Sequence, residues 1–200
     1  MPVRLTSRFD QALVYAAQLH REQRRKGSDI PYVSHLLAVA GIVLEHGGDE
    51  DEAIAALLHD AIEDQGGPGT RDEILRRFGE RVTRVVEGCT DAWTDPKPRW
   101  KDRKRAYIER LSEAPASCRL VSAADKLHNA RSILSDYRNL GEEVWKRFTG
   151  SKKETLWYYR AVVDTLVGSG RTPLMDELAR VVSEIERLGG SRPSAAGSGG

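Results

Sequence analysis

The sequence predicts an all-α protein with a single domain, and three observations lead to this prediction. Apolar residues recur three and four positions apart along most of the chain, and no segment shows the alternation of a half-buried strand. Glycine and proline residues interrupt this pattern between the periodic segments. A chain of 200 residues is long enough for one substantial core and short for two. We expect a helical domain over residues 1–188 and a disordered Gly/Ser-rich tail over residues 189–200.

The first predicted helices carry clear start signals. A helix over residues 9–21 has Thr6 or Ser7 as its N-cap, and the strongly apolar segment VSHLLAVAGIVLEHGG forms the second helix. Asp49 can cap a third helix with the sequence EDEAIAALLHDAIED. Thr70 and Glu73 have the spacing of a capping box for RDEILRRFG, which ERVTRVVEGCTD follows as a further helix.

The second half of the chain continues the helical pattern after one polar interruption. The stretch AWTDPKPRWKDRKR holds two prolines and many basic residues, so it predicts a mobile connection before a helix around AYIERLSEA. A long amphipathic helix is expected over residues 115–140. Two or three more helices are expected in EEVWKRF, KKETLWYYRAVVDTLV and PLMDELARVVSEIERL.

Composition restricts the classes of function. There are 31 basic and 30 acidic side chains, so a broadly basic nucleic-acid-binding protein is not indicated. No apolar run approaches the ~18 residues of a membrane span, and the N-terminus lacks the apolar stretch of a signal peptide. Cys89 and Cys118 form no CxxC pair, and we expect them to be small core residues of a cytoplasmic protein.

A cluster of charge at the end of the third predicted helix points to a metal ion. Residues three and four apart share a helix face, so His59 is expected beside Glu63, and Asp60 beside both Glu63 and Asp64. Three like charges in this position repel one another, and a divalent cation is the simplest compensation. Imidazole and carboxylate ligands suit manganese, zinc, iron or magnesium.

Two residues elsewhere in the chain are candidates for completing this site. His35 lies in a strongly apolar helix, where the alternative is an ordinary core histidine. Asp125 is surrounded by small and apolar residues, and the alternative for it is a buried salt bridge with a neighbouring lysine or arginine. Asn129 lies one turn later on the same helix face.

The order H…HDxxED…DxxxN resembles the HD-domain metal-dependent phosphohydrolases. More narrowly, the chain resembles the hydrolase domain of RelA/SpoT-type enzymes and the stand-alone small alarmone hydrolases. This narrower resemblance rests on five ordered blocks between residue 8 and about residue 168, which are RRKGSDIPYVSH, ALLHDAIED, FGERVTRVVEGCTD, RKRAYIERL and AADKLHNARSIL.

The resemblance implies one HD-domain helical bundle around one divalent metal ion, usually Mn²⁺, that removes the 3′-pyrophosphate from guanosine tetra- or pentaphosphate. The implied metal ligands are His35, His59, Asp60 and Asp125. The implied acidic pair that activates or orients water is Glu63 and Asp64, and the implied substrate contacts are Arg25, Lys26 and Asn129. Two departures affect the first block: it has an extra residue before Pro31, and Leu36 stands where a proline is common.

Several alternatives stay open from the sequence. The same ligands would serve an HD phosphohydrolase acting on an adenosine alarmone, a deoxynucleotide or an NADPH-type phosphate, or a non-catalytic nucleotide-sensing domain. The basic residues between 97 and 105 are a solvated loop, a reserve of charge for the substrate or, least in keeping with the net charge of +1, a nucleic-acid contact. Tyr32 either packs against the site or finishes a turn, and His128 has no partner pattern. The aromatic cluster of Trp157, Tyr158 and Tyr159 is either core or a base-stacking platform.

Overall fold

The structure is a computed structural model that describes residues 3–92 and 98–190, and those residues contain helices but no β-strand. The predicted all-α class is therefore confirmed. The helices are α1 (Ser7–Leu19), α2 (Val33–Glu45), α3 (Glu50–Leu58), α4 (Ala61–Asp64), α5 (Gly67–Phe78), α6 (Glu80–Cys89), α7 (Trp100–Glu113), α8 (Ala116–Leu140), a 3₁₀ helix (Gly141–Arg147), α9 (Lys152–Gly168) and α10 (Pro173–Gly190).

Helix α3 lies at the centre of the fold, and every residue from Ala53 to Leu58 is buried. Helices α1, α2, α6 and α8 all pack against it, while α9 and α10 pack against the far part of α8. Large side chains such as Ile54 and Leu57 are fully enclosed. Because burying side chains of this size stabilises the fold by about 1.5–3 kcal/mol each, α3 is held firmly in place. Its last residue immediately precedes the charge cluster.

Two of the three predicted helix starts agree with the structure. The Thr6 side chain accepts a hydrogen bond from the Arg8 N–H at the start of α1. Asp49 caps α3 in a reciprocal capping box with Glu52. These bonds satisfy N–H groups that have no partner within the helix.

The predicted capping box at Thr70 and Glu73 is wrong, because α5 begins three residues earlier, at Gly67. Gly66 turns the chain with a φ of +126°, which favours glycine, and a proline suits the first turn that follows. Thr70 therefore lies inside the helix, where its hydroxyl donates a 2.6 Å hydrogen bond to the Gln65 carbonyl.

The predicted continuous helix through EDEAIAALLHDAIED is also wrong. Helix α3 ends at Leu58, His59 and Asp60 form a turn, and α4 begins at Ala61. His59 Nδ1 lies 2.8 Å from the Ala56 carbonyl oxygen, so the ring satisfies a carbonyl in the last turn of α3. The apolar periodicity runs on across the turn and gives no sign of it.

The predicted mobile connection before α7 is wrong for residues 100–105, which are helical. Trp100 starts this helix and packs edge-on against Tyr158, with ring centroids 6.1 Å apart. Residues 93–97, with Lys97 of the basic stretch, lie outside the described residues. The segment EEVWKRF forms a 3₁₀ helix in which Val144 and Trp145 are buried.

At the C-terminus, α10 continues to Gly190, two residues beyond the predicted domain end, and the remaining predicted tail lies outside the described residues. Cys118 is buried in the core and Cys89 packs partly buried against it, and both are free thiols. Within the described ranges, every helix is too short or too polar to cross a membrane.

Candidate active site

Four side chains predicted as metal ligands meet at one point. His35 comes from α2, His59 and Asp60 from the turn after α3, and Asp125 from α8. One ligand atom from each of His35, His59 and Asp125 lies within 4.8 Å of the other two. Asp60 Oδ2 is 3.0 Å from His59 Nε2 and 3.7 Å from His35 Nε2. The packing of α2 and α8 on α3 produces this convergence, and we call these four residues the ligand cluster.

The cluster lies at the edge of the core. The exposed fractions are 0% for His35, 2% for His59 and 7% for Asp125. Asp125 Oδ1 lies 3.3 Å from His35 Nε2 and 3.6 Å from His59 Nε2. Buried ionisable groups at these distances require compensation, because an unpaired buried charge costs several kcal/mol.

The pKa values of the cluster are shifted in opposite directions. Burial opposes protonation of His59, but the carboxylates of Asp60 and Asp125 outweigh it and raise the His59 pKa well above its usual range. Burial, together with the neighbouring His59, lowers the pKa of His35 against the opposing effect of Asp125. Burial disfavours the Asp125 carboxylate, but Lys126 and the two histidines outweigh it and hold the Asp125 pKa well below its usual range.

Asp125 forms the salt bridge that the sequence allowed for it, and its other carboxylate oxygen faces the two histidines. The salt bridge joins Oδ2 to Lys126 at 2.5 Å, and Oδ1 is the oxygen that faces the histidines. The two histidines present Nε2 atoms 3.3 Å apart, and a shared cation is a natural partner for both lone pairs. Two imidazole nitrogens and carboxylate oxygens are a donor set that Mn²⁺, Zn²⁺ and Fe²⁺ accept.

Three more side chains hold the cluster from outside, and two of these contacts were not predictable from spacing. The Tyr32 hydroxyl donates a 2.5 Å hydrogen bond to Asp60 Oδ2. His128 Nδ1 lies 2.8 Å from His35 Nδ1. The Asn129 amide donates a 2.5 Å hydrogen bond to Asp125 Oδ1, which matches their shared helix face.

The predicted acidic pair lies in α4 and is held from two sides. Glu63 Oε2 accepts a 3.1 Å hydrogen bond from the Asp91 N–H, and its Oε1 lies 3.7 Å from the Arg103 guanidinium. Asp64 Oδ2 accepts a 2.8 Å hydrogen bond from the Gln23 amide. The two carboxylates therefore have different neighbours, although they are adjacent in sequence.

A cleft of about 740 Å³ adjoins the ligand cluster. The predicted substrate residues Arg25, Lys26 and Asn129 line it, as do Tyr158 and Tyr159. Arg25 donates a 2.8 Å hydrogen bond to Asn129 Oδ1, which in turn connects the α1–α2 loop to the ligand cluster.

The cleft is rich in positive charge, and half of its basic side chains were not named from the sequence as possible substrate contacts. Its basic side chains are Arg25, Lys26, Lys104, Lys126, Arg131 and Arg147. Of the basic stretch that we considered a reserve of charge, Lys104 reaches the cleft, and the described residues Arg99, Lys101, Arg103 and Arg105 do not line it. A cleft of this charge suits a polyanion such as a nucleotide with several phosphates.

Comparisons with known proteins identify a family and relatives of this chain. A family model described as HD domain matches residues 12–153. The chain is 41% identical over 126 residues to guanosine-3′,5′-bis(diphosphate) 3′-pyrophosphohydrolase MESH1 of Xenopus tropicalis, an alignment that covers 62% of this chain and 68% of that protein. The Homo sapiens protein of the same name is 40% identical, with the same coverage.

A solved structure is similar over nearly the whole length of both chains. It is that of a metazoan ortholog of SpoT, described as hydrolysing ppGpp and playing a role in starvation responses. The TM-score is 0.75 at 28% sequence identity, and the match covers 92% of this chain and 98% of that chain.

Proposed function

The chain belongs to the HD domain family, and from that premise we propose that it hydrolyses the 3′-pyrophosphate of guanosine tetra- or pentaphosphate, the alarmones of the stringent response. The products would be pyrophosphate and GDP or GTP. The observation that carries this proposal is the position of the ligand cluster beside a large, basic cleft. The relatives named as 3′-pyrophosphohydrolases support the choice of substrate.

The cofactor in this proposal is one Mn²⁺ ion, which His35, His59, Asp60 and Asp125 would hold. The donor set supports a divalent cation of this kind. Such an ion supplies Lewis acidity, which acidifies water and polarises a phosphoryl group.

Glu63 and Asp64 are the groups that would accept the proton of the attacking water. Both belong to α4, the element that directly follows the turn of His59 and Asp60. Water would add to the 3′-linked phosphorus, the bond from phosphorus to the 3′-oxygen would break, and the proton would pass to that oxygen through the carboxylate. The hydrogen bonds from Gln23 and the Asp91 N–H hold these carboxylates in defined orientations.

Arg25, Lys26 and Asn129 would contact the substrate in the cleft. Their positions along its lining support this assignment, since cationic side chains neutralise the charge that spreads over a departing pyrophosphate. Lys26 donates a 3.1 Å hydrogen bond to Thr149, which ties two walls of the cleft together.

A cytoplasmic location and the absence of a nucleic-acid partner complete the proposal. The two free cysteines support a reducing compartment. The net charge of +1 is low for a nucleic-acid-binding protein.

The decisive experiment measures pyrophosphate release from guanosine tetraphosphate by chelator-treated protein, with and without added Mn²⁺. We expect turnover only with the metal, and its loss in Glu63→Ala or Asp64→Ala. A panel containing an adenosine alarmone, a deoxynucleotide and NADPH tests the other HD substrates. Faster release of orthophosphate from simple monophosphates than of pyrophosphate from the guanosine alarmone would refute the substrate assignment. Absence of turnover on every nucleotide would favour a sensing domain.

A further inference from the structure

The contact between His128 and His35 joins the ligand cluster to the cleft. His128 lies in α8, three residues after Asp125, and its ring centroid is 4.8 Å from that of His35. The two Nδ1 atoms are 2.8 Å apart, which is hydrogen-bond distance. His128 is half-buried and lines the cleft.

With His35 as a metal ligand, the contact between the two rings determines which nitrogen of each ring carries the proton. His35 Nε2 faces the cluster, 3.3 Å from His59 Nε2 and 3.3 Å from Asp125 Oδ1. A nitrogen that ligates a metal offers a lone pair, so the proton of a ligating His35 lies on Nδ1. That Nδ1–H donates to His128 Nδ1, which must then be an acceptor. The proton of His128 therefore lies on Nε2.

This arrangement leaves His128 with one hydrogen-bond donor to offer. Within the described part of the chain, no residue forms a hydrogen bond with His128 Nε2. This atom is not one of the fully buried polar atoms, so a ligand in the cleft can reach it. Because Nδ1 is occupied by His35, Nε2–H is the polar ring atom that His128 can present to the cleft that it lines.

The surroundings indicate what this donor would meet. Arg25 and Lys126 line the same cleft, and both are already bonded to protein groups, Arg25 to Asn129 and Lys126 to Asp125. The cleft therefore brings cations and a free N–H donor together beside the cluster. Phosphate oxygens are the acceptors that such a set of groups recognises.

We propose that His128 has two roles: its Nδ1 positions His35 for the metal ion, and its Nε2–H binds a phosphate oxygen of the substrate. This inference rests on the proposed function, since it assumes both the metal and a phosphorylated substrate. It makes His128 a direct structural link between metal binding and substrate binding.

Two substitutions separate the roles, because each keeps the hydrogen-bonding function of one ring nitrogen and removes that of the other. His128→Asn places an amide oxygen at the position of Nδ1 and loses the donor at Nε2. His128→Gln places an amide nitrogen near the position of Nε2 and loses the acceptor at Nδ1. His46→Asn is the matched control, since His46 is the C-cap of α2, the helix of His35, and its Nδ1 bonds the Ile42 carbonyl.

For His128→Asn we expect unchanged Mn²⁺ affinity by titration calorimetry, with a KM for guanosine tetraphosphate raised about tenfold. For His128→Gln we expect Mn²⁺ affinity to fall about 10- to 100-fold. The inhibition constant for inorganic pyrophosphate should rise in His128→Asn together with KM. Equal effects of both substitutions on both constants, or no effect of either, would overturn the assignment.

The tautomers can be read without any variant. In ¹⁵N NMR spectra of the wild-type protein loaded with Zn²⁺, a diamagnetic ion, we expect His35 protonated at Nδ1 and His128 protonated at Nε2. A proton on His128 Nδ1 would overturn the inference. If the wild-type protein binds Mn²⁺ and releases pyrophosphate while the His128 variants behave like His46→Asn, the inference about His128 fails and the proposed function stands. If the wild-type protein does neither, the proposed function fails.

Discussion

Removing the Tyr32 hydroxyl should weaken metal binding while leaving the fold intact. Tyr32 immediately precedes α2, three residues before His35, and its hydroxyl donates a 2.5 Å hydrogen bond to Asp60 Oδ2. Burial, followed by the nearby Asp60 carboxylate, raises the pKa of Tyr32, so the hydroxyl stays protonated and remains a donor. Asp60 Oδ2 is also the oxygen 3.0 Å from His59 Nε2, so Tyr32 orients the oxygen that faces the cluster.

The magnitude follows from the kind of hydrogen bond that is lost. A hydrogen bond to a charged group contributes about 1.5–3 kcal/mol, and outer partners of metal ligands typically change metal affinity by about 10- to 100-fold. Tyr32→Phe keeps the ring, which stacks on His20 with centroids 5.3 Å apart and meets the edge of His35. We therefore expect Mn²⁺ to bind about 10- to 100-fold more weakly to Tyr32→Phe.

Titration calorimetry of chelator-treated protein with Mn²⁺ measures this change directly, and turnover should recover as the Mn²⁺ concentration is raised. Tyr15→Phe is the matched control, because Tyr15 is buried in α1 and its ring packs on Phe78. Urea unfolding of both variants checks that the fold is intact. An Mn²⁺ affinity of Tyr32→Phe within twofold of the wild-type value would refute the reasoning.

Three further perturbations test other parts of the structure. Asp125→Ala should abolish stoichiometric Mn²⁺ binding and lower the free energy of unfolding in urea by about 1.5–3 kcal/mol, because it removes a charged hydrogen-bond partner of the half-buried Lys126; retained metal would contradict this. Gln23→Leu should lower kcat about threefold to tenfold with unchanged Mn²⁺ affinity, because it frees Asp64 from a 2.8 Å hydrogen bond; a parallel loss of metal affinity would count against it. Burial disfavours the Asp49 carboxylate, but Arg81 and backbone N–H groups outweigh it and hold its pKa below the usual value. The charge of Asp49 therefore stabilises the fold above about pH 4, and this contribution is lost as the pH falls further. Urea unfolding against pH should show wild type more stable than Asp49→Asn by about 0.5 kcal/mol near neutral pH, a small effect because solvent screens the pair, and a constant difference at all pH values would exclude this origin.

The helix class and the candidate metal-ligating residues followed from local patterns. Helical periodicity is a local pattern, because it reflects which neighbouring residues share a helix face. The bounds predicted for α2 and α8 therefore lie close to the observed ones. His35 and Asp125 were recognisable because each is a polar group in an apolar helix, where it needs a partner. Residue types and their spacing were therefore enough to single out these two groups as candidate ligands.

Errors arose where one contact outweighs the local pattern. The turn at His59 and Asp60 interrupts an unbroken apolar periodicity, and α7 begins at Trp100 within a stretch that looks like a loop. In the second case, an aromatic contact with Tyr158, 58 residues later in the chain, accompanies the helix start. Sequence spacing holds no information about a neighbour so far along the chain.

The sequence by itself determined that the chain is helical, which residues could ligate a metal, and that these residues resemble a hydrolase family. Only the tertiary structure decided what surrounds them: Tyr32 on Asp60, His128 on His35, and six basic side chains around one cleft. The physical reason is that a ligand is identified by its own chemistry, whereas its orientation and charge environment depend on atoms contributed by helices distant in sequence.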